Sequence, residues 1–370
     1  MRELIALPAS GGATFVAALL AAWDGGDAVL PIDPRLPDVA VAELLVTMAP
    51  GVVIDGRGER HRQADGRPVD EGDALVVATS GSTGAPKGVV LTHEAVAATA
   101  VAVNEALEVV GANDGWLCCL PTAHVAGLGV ITRSLVAGTR LEVQDRFDAD
   151  EVRAAALDRG ATLTSVVPTA LDRIDPSWFR AVIVGGAAPP ITRAPNVFAS
   201  YGMTETGSAV CLDGRALRDV DLRIVDGEIH VRGPMLLRAY RDGSVPLDDH
   251  GWFATGDLGA IADDGTLTVH GRAGDLIITG GENVWPAAVE AALRDVPGVA
   301  DVGVVGRPDP EWGTAVTAVV VPVDPASPPT LEDLRAAAAD RLPRFALPRR
   351  LEVVEALPRT ALGKLRRHEA

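Results

Sequence analysis

Apolar runs rich in β-branched residues recur along the first half of the chain, each bounded by turn residues. DALVVAT at 73–79, TLTSVV at 162–167 and RAVIVG at 180–185 have the content and length of strands. Helical stretches lie between them, 93–109 and 149–159 for instance. Residues 13–24 (ATFVAALLAAWD) read as an amphipathic helix ahead of the short buried strand DAVLPID. Strands that alternate with helices predict parallel sheet with helices on its faces, so the fold class is α/β.

After about residue 212 the texture changes. VDLRIVDGEIHVRG and GAIADDGTLTVHGR each set a DG turn between short alternating strands, a hairpin signature. From Asp275 on, strand LIITG, helix 286–294, strands 300–306 and 314–323 and helix 330–341 predict a small α+β domain. The expected division is a large domain over 1–273 and a small one over 274–370. Its boundary falls in Gly271–Asp275, where two glycines free the backbone. There are no internal repeats, and VDPASPPT at 323–330 reads as a surface loop.

Composition narrows the function. A content of 48% hydrophobic but only 4% aromatic residues predicts a core of Ala, Val and Leu. The net charge of −17 argues against a nucleic-acid surface, which needs clustered Lys and Arg, so any anionic ligand must be held by local donors. Cys118, Cys119 and Cys211 make neither a disulfide framework nor a zinc site and read as buried small residues. Met1–Leu20 lacks the pattern of a secretion signal. No apolar run reaches the roughly 18 residues of a membrane span, so the expected location is the cytoplasm.

Of the 33 basic residues only Lys87 and Lys364 are lysine. Lys87 closes TSGSTGAPKG, a strand-borne run in which glycines admit a phosphate and N–H and hydroxyl groups donate to it. It is not the loop of a P-loop NTPase, because Pro86 precedes the lysine and Gly88 follows it. In SYGMTET, Glu205 suits Mg²⁺, a hard cation that wants oxygen ligands, although a solvated glutamate fits equally well. GWFATGDLG offers Asp257 to a ribose diol, and GRAGDLIITGGENV adds an arginine and a glycine-rich turn; either alone could be a hairpin end.

The order TSGSTGAPKG, YGMTET, TGD, GRxxD, GGENV, PRTxxGK resembles that of the adenylate-forming superfamily: acyl-CoA synthetases, luciferases and nonribosomal peptide adenylation domains. The resemblance runs from about Asp73 to Lys364. It implies a large domain of β-sheets flanked by helices and a small mobile α+β domain, with ATP and Mg²⁺ as cofactors and coenzyme A as co-substrate. By this resemblance Thr79, Ser80, Gly81, Ser82, Thr83, Gly84 and Lys87 hold the outer phosphates. Thr204 and Glu205 sit at the α-phosphate and Mg²⁺. Asp257 and Arg272 grip the ribose, and Gly185, Gly186, Ala187, Tyr201 and Gly202 frame the adenine side. Lys364 is the catalytic lysine, beside Glu205, Thr204 and His124. A lysine reaches a single oxygen where arginine's fork prefers two, which accounts for its survival in a chain that otherwise uses arginine. Gly274 and Asp275 form the hinge, and Gly280 and Gly281 flank the coenzyme A channel.

LPTAHVAGLGVITRSLVAG at 120–138 resembles the corresponding stretch of o-succinylbenzoate–CoA ligases, as do SVVPTAL and VRGPMLLRAYR. This implies an acid site lined by His124, Arg133, Ser165, Gly186, Gly202 and Met203, with Arg133 anchoring the far end of a dicarboxylate. An arginine on a helix more often rides a solvated face. A CoA ligase for another aryl or acyl acid is the alternative, and a catalytically silent nucleotide-binding relative is an alternative of another class. The short N-terminal region raises the question of what walls the acid pocket, for which a second protomer is one answer. With six residues after Lys364, no carrier module is expected.

Overall fold

The computed structural model describes residues 2–370 apart from 11, 81–85, 187–192, 360–364 and 368. These form two compact units: 1–185, 194–222 and 231–253 make the first, and 186–193, 223–230 and 254–370 the second.

The first unit holds two seven-stranded sheets. At the centre of one, Leu4–Pro8 pairs in parallel with Ala28–Ile32 and Val52–Ile54, and Ala28–Ile32 in parallel with Asp73–Ser80. Leu4, Ala6, Ala28 and Leu30 are wholly buried, which is the burial that parallel strands require. Asp73–Ser80 then turns back on itself. It pairs antiparallel with Pro86–Thr92, Thr79 opposite Lys87 and Ser80 opposite Pro86. The glycine-rich run is therefore the connection of a hairpin. A helix follows only at His93–Ala106, where the Thr92 hydroxyl accepts the Ala95 N–H at 3.1 Å as N-cap.

In the other sheet Leu163–Val166 lies between Gly115–Cys118 and Ala181–Val184, all parallel, and Val197–Gly202 extends it. Helix His93–Ala106 packs on strands of both sheets and along helix Val125–Ala137. Its buried face is mostly small (Ala95, Thr99, Ala100, Ala102), which lets the helices approach. The Asn104 side chain donates to the Arg133 carbonyl at 2.9 Å across that seam. The expected strands and helices of this region form, with ends shifted by a few residues.

In the second unit, Asp226 and Gly227 both take positive φ (51° and 84°), the turn a DG hairpin demands. Asp257–Ile261 pairs antiparallel with Leu267–Arg272. Beyond them Val299–Asp309, Gly313–Pro322 and Arg350–Val353 form a three-stranded sheet. Val304, Val316, Ala318 and Val320 meet Val289 and Leu293 of helix Pro286–Leu293 and Leu334 of helix Leu331–Ala338 in one core. The expected α+β texture is present.

Candidate functional site

Three groups of the expected residues can be followed in the structure, two in the first unit and one in the second. Gly81, Ser82, Thr83, Gly84, Ala187 and Lys364 lie outside the described residues, as does the side chain of Ser80.

The first group surrounds Tyr240. Its short strand, Ala239–Tyr240, pairs with Pro86–Thr92 and is pinned by Arg238, which donates from Nε and Nη2 to the two oxygens of buried Asp73 at 2.8 and 2.9 Å. Exposed Lys87 places its Nζ 5.1 Å from the Tyr240 ring centroid, within cation–π range. The Tyr240 hydroxyl donates to Glu205 Oε1 at 3.1 Å. One tyrosine thus joins the lysine of the glycine-rich run to the candidate Mg²⁺ ligand. Gly88 cannot be Ser or Thr here: a Cβ would stand 2.8 Å from the Arg241 Cβ and against the Met48 sulfur.

Glu205 sits half-buried in the single 3₁₀ turn Thr204–Thr206. The Thr206 hydroxyl accepts the Met203 N–H at 3.0 Å and donates to the Ser208 carbonyl at 2.6 Å. The Glu205 carbonyl accepts the Leu237 N–H at 2.8 Å. Gly202 has the Ser208 carbonyl where a Cβ would be, so the chain can take no side chain there. At Gly185 a Cβ would meet the Ser200 hydroxyl, a side-chain atom that can turn away, and Gly186 has φ +82°. Tyr201 pairs with Cys211 across an antiparallel rung.

The second group lies around Arg133. This arginine is 3% exposed, so the expectation of a solvated helix face fails. Helix Val125–Ala137 is buried from Gly127 to Ser134, and Arg133 is the single charge in it. Its Nη1 donates to the Ser165 hydroxyl at 3.1 Å and its Nη2 to the Ser208 hydroxyl, while the guanidinium lies 5.5 Å from the Trp116 ring centroid. Burial pushes its pKa down to about 10, which leaves it charged at neutral pH. Among the described residues no carboxylate pairs with it. Cys118, below the same helix, donates to the Gly127 carbonyl, and burial raises its thiol to about 12; Cys119 goes to about 11 and Cys211 to about 12. All three are inert fillers.

His124 is the N-cap residue of that helix and half-buried. Its Nε2 lies 3.6 Å from Asp33 Oδ2, and Arg35 holds both oxygens of that carboxylate. Burial chiefly keeps the imidazole pKa below the ordinary histidine value, against the pull of Asp33.

The third group is in the second unit. Asp257 and Arg272 face each other across paired strands, and Nε of Arg272 meets Asp257 Oδ1 at 2.9 Å. Arg272 Nη1 donates to the Thr255 carbonyl at 3.1 Å, and Gly256 (φ +72°) donates to Glu228 Oε1 at 2.7 Å. Gly274 and Asp275 lie in the short 3₁₀ turn Ala273–Asp275. No atom stands within 4 Å of a Cβ at Gly274, so its glycine answers no steric demand of this conformation. Gly280 and Gly281 both have positive φ, and the Trp312 ring lies over Gly280.

Tyr240, Ser208, Trp116 and Asp33 lie against the expected residues Glu205, Arg133 and His124, and the motifs do not single them out. Tyr240 lies one residue before the end of VRGPMLLRAYR, and Ser208 two beyond YGMTET. Asp33 stands in a turn that reads as punctuation.

The AMP-binding enzyme family matches residues 56–241, and the AMP-binding enzyme C-terminal domain matches residues 288–364. A Mycobacterium tuberculosis protein named "Probable 2-succinylbenzoate--CoA ligase" is 42% identical over 327 residues, 82% of this chain and 85% of its own length. A Bacillus cereus 2-succinylbenzoate–CoA ligase is 35% identical over 334 residues, 80% of this chain and 68% of its own. Among solved structures, Bacillus subtilis o-succinylbenzoate CoA synthetase (MenE) with the acyl-adenylate OSB-AMP superposes with a TM-score of 0.87 at 28% identity, over 100% of this chain and 88% of that one. The same enzyme with ATP and a magnesium ion gives 0.86 at 27%, over 100% and 90%. The chain belongs to the AMP-binding, adenylate-forming enzymes and is similar to their 2-succinylbenzoate–CoA ligases.

Proposed function

We propose that the chain is an o-succinylbenzoate–CoA ligase of menaquinone biosynthesis. A carboxylate oxygen of the acid attacks the α-phosphorus of ATP, pyrophosphate leaves and the acyl-adenylate remains. The thiol of coenzyme A then attacks the acyl carbon, AMP leaves and the thiol proton is released. Most of the work is positioning and charge stabilisation.

The line Lys87–Tyr240–Glu205 supports this reading most. It spaces a point charge for the outer phosphates and an oxygen ligand along one tyrosine. A half-buried carboxylate, already oriented by a hydroxyl, fits a hard cation, and Mg²⁺ held there would neutralise phosphate oxygens. Thr79 and the run to Gly84 cradle the phosphates, and Thr204 faces the α-phosphate. Gly185, Gly186, Ala187, Tyr201 and Gly202 frame the adenine. Asp257, oriented by Arg272, accepts from the ribose diol. His124, Ser165, Gly186, Gly202 and Met203 line the acid site, where Arg133 carries a buried positive charge for the distal carboxylate. Lys364 bridges carboxylate and phosphate oxygens as the bond forms. For the second step we propose rotation of residues 274–370 against 1–273 about Gly274–Asp275, with coenzyme A entering beside Gly280 and Gly281.

Among the described residues no helix is long and apolar enough to cross a membrane, and we place the enzyme in the cytoplasm. A second protomer as the pocket wall predicts a particle of twice 38.3 kDa in light scattering; a monomer of full activity rejects it.

Pyrophosphate release over a panel of carboxylic acids tests the substrate, and a flat profile would overturn it. Lys364→Ala should slow adenylate formation about 10²- to 10³-fold, with thioester formation from supplied acyl-adenylate nearly unchanged. Equal loss of both would remove the assigned role.

A further inference from the structure

Asp33 ends the strand Ala28–Ile32, in the corner IDPR. Its carboxylate is 9% exposed and gripped by Arg35. The Arg35 main-chain N–H donates to Oδ1 at 2.9 Å, its Nε to Oδ1 at 2.8 Å and its Nη2 to Oδ2 at 2.6 Å. A carboxylate so held stays ionised and cannot swing: burial alone would raise its pKa, yet the arginine bonds bring it below the ordinary value. An ionised carboxylate only accepts hydrogen bonds.

His124 arrives from the loop before helix Val125–Ala137. The Thr122 hydroxyl ties that loop to the Ala9 carbonyl at 3.3 Å, and the His124 carbonyl accepts the Gly127 and Leu128 N–H groups. The ring's Nε2 is buried, has no hydrogen-bond partner within ordinary range, and lies 3.6 Å from Asp33 Oδ2. A bare lone pair there would face an anion, whereas an N–H points a donor at it. The protonated ring is disfavoured by burial, by the Arg35 guanidinium and by the helix N-terminus it caps. Asp33 and Arg35 are the charged groups that bear on it.

We infer that Asp33 is a positioning residue of the acid site, holding His124 as the neutral tautomer with its proton on Nε2. His124 then meets the acid with the Nδ1 lone pair, as an uncharged wall that accepts hydrogen bonds. It cannot bind a carboxylate, and that task falls to Arg133. The inference rests on the reading that His124 lines the acid pocket.

Long-range ¹H–¹⁵N spectra of the histidine-labelled full-length enzyme at neutral pH read the tautomer directly. The expected pattern is a protonated Nε2 and an unprotonated Nδ1. A protonated Nδ1, or an imidazolium, overturns the inference with no variant needed. Asp33→Asn keeps a residue that makes the same turn. It should mix the tautomers and raise KM for the acid about tenfold, with KM for ATP changed less than twofold. An unchanged tautomer in this variant also overturns the inference. His124→Ala separates the two claims: an unaltered KM for the acid removes His124 from the pocket whatever its tautomer.

Discussion

Arg133 in the first unit is buried and Arg367 in the second is half-buried, and they are satisfied in opposite ways. Arg367 is neutralised twice. Its Nη2 donates to both oxygens of Glu290 at 2.7 and 2.8 Å, and its Nη1 to Asp275 at 3.2 Å. Glu290 is itself fixed by the Val304 N–H at 2.9 Å. Arg133 has two serine hydroxyls, an indole face and no carboxylate among the described residues. A buried cation is costly unless it is paired, so the first arrangement is structural. The second keeps its positive charge without a carboxylate partner among the described residues, and on the function proposed above that charge awaits an anion from outside.

The contrast has measurable consequences. Arg367→Ala would leave two carboxylates, 15% and 23% exposed, without their cation. It should destabilise the second unit by about 3–5 kcal/mol, read by urea unfolding. Arg133→Met removes a desolvated charge along with two hydrogen bonds to hydroxyls, and those terms oppose each other. Its unfolding free energy should move by no more than about 1 kcal/mol. Its kcat/KM for the dicarboxylic acid should fall about 10- to 100-fold, while an aryl monocarboxylic acid changes little. Equal stability losses in the two variants, or equal losses for the two acids, would erase the distinction.

The buried strands were legible because a parallel strand covered on both faces is mostly apolar: Ala181–Val184 is so throughout, and Leu163–Val166 buries Thr164 and Ser165 between Leu163 and Val166. The strand Pro86–Thr92 was not. It opens with a proline, and its partner lies across a glycine-rich run that carries no hydrophobic pattern. The burial of Arg133 did leave a mark: VAGLGVITRSLVA is apolar on every side of a helix, and such a helix is enclosed. Asp33 and Tyr240 left none, because their roles come from partners 91 and 35 residues away (His124 and Glu205) that only tertiary structure brings close.

A third arginine completes the series with the smallest effect. Arg180 is 41% exposed, and its partner Asp114 is 5% exposed. Asp114 accepts Nε and Nη2 of Arg180 at 3.0 and 2.8 Å, the Thr162 hydroxyl at 2.6 Å and the Val110 N–H at 2.9 Å. Burial alone would raise the carboxyl pKa, but these donors outweigh it and hold it below the usual 3.8. An acid whose folded pKa is depressed stabilises the fold above its unfolded pKa and loses that contribution as pH falls through the folded value. Below pH 3.8 the unfolded chain therefore takes up a proton at this site before the folded one does. Acid titration of stability should show that loss in the parent chain, and Asp114→Asn should lack this part of it. The partner's exposure screens the interaction, so the difference should be the slightest of the three. If Asp114→Asn steepens the acid loss instead, the carboxylate gains nothing from Arg180 and the ranking of paired over unpaired arginines fails at this site.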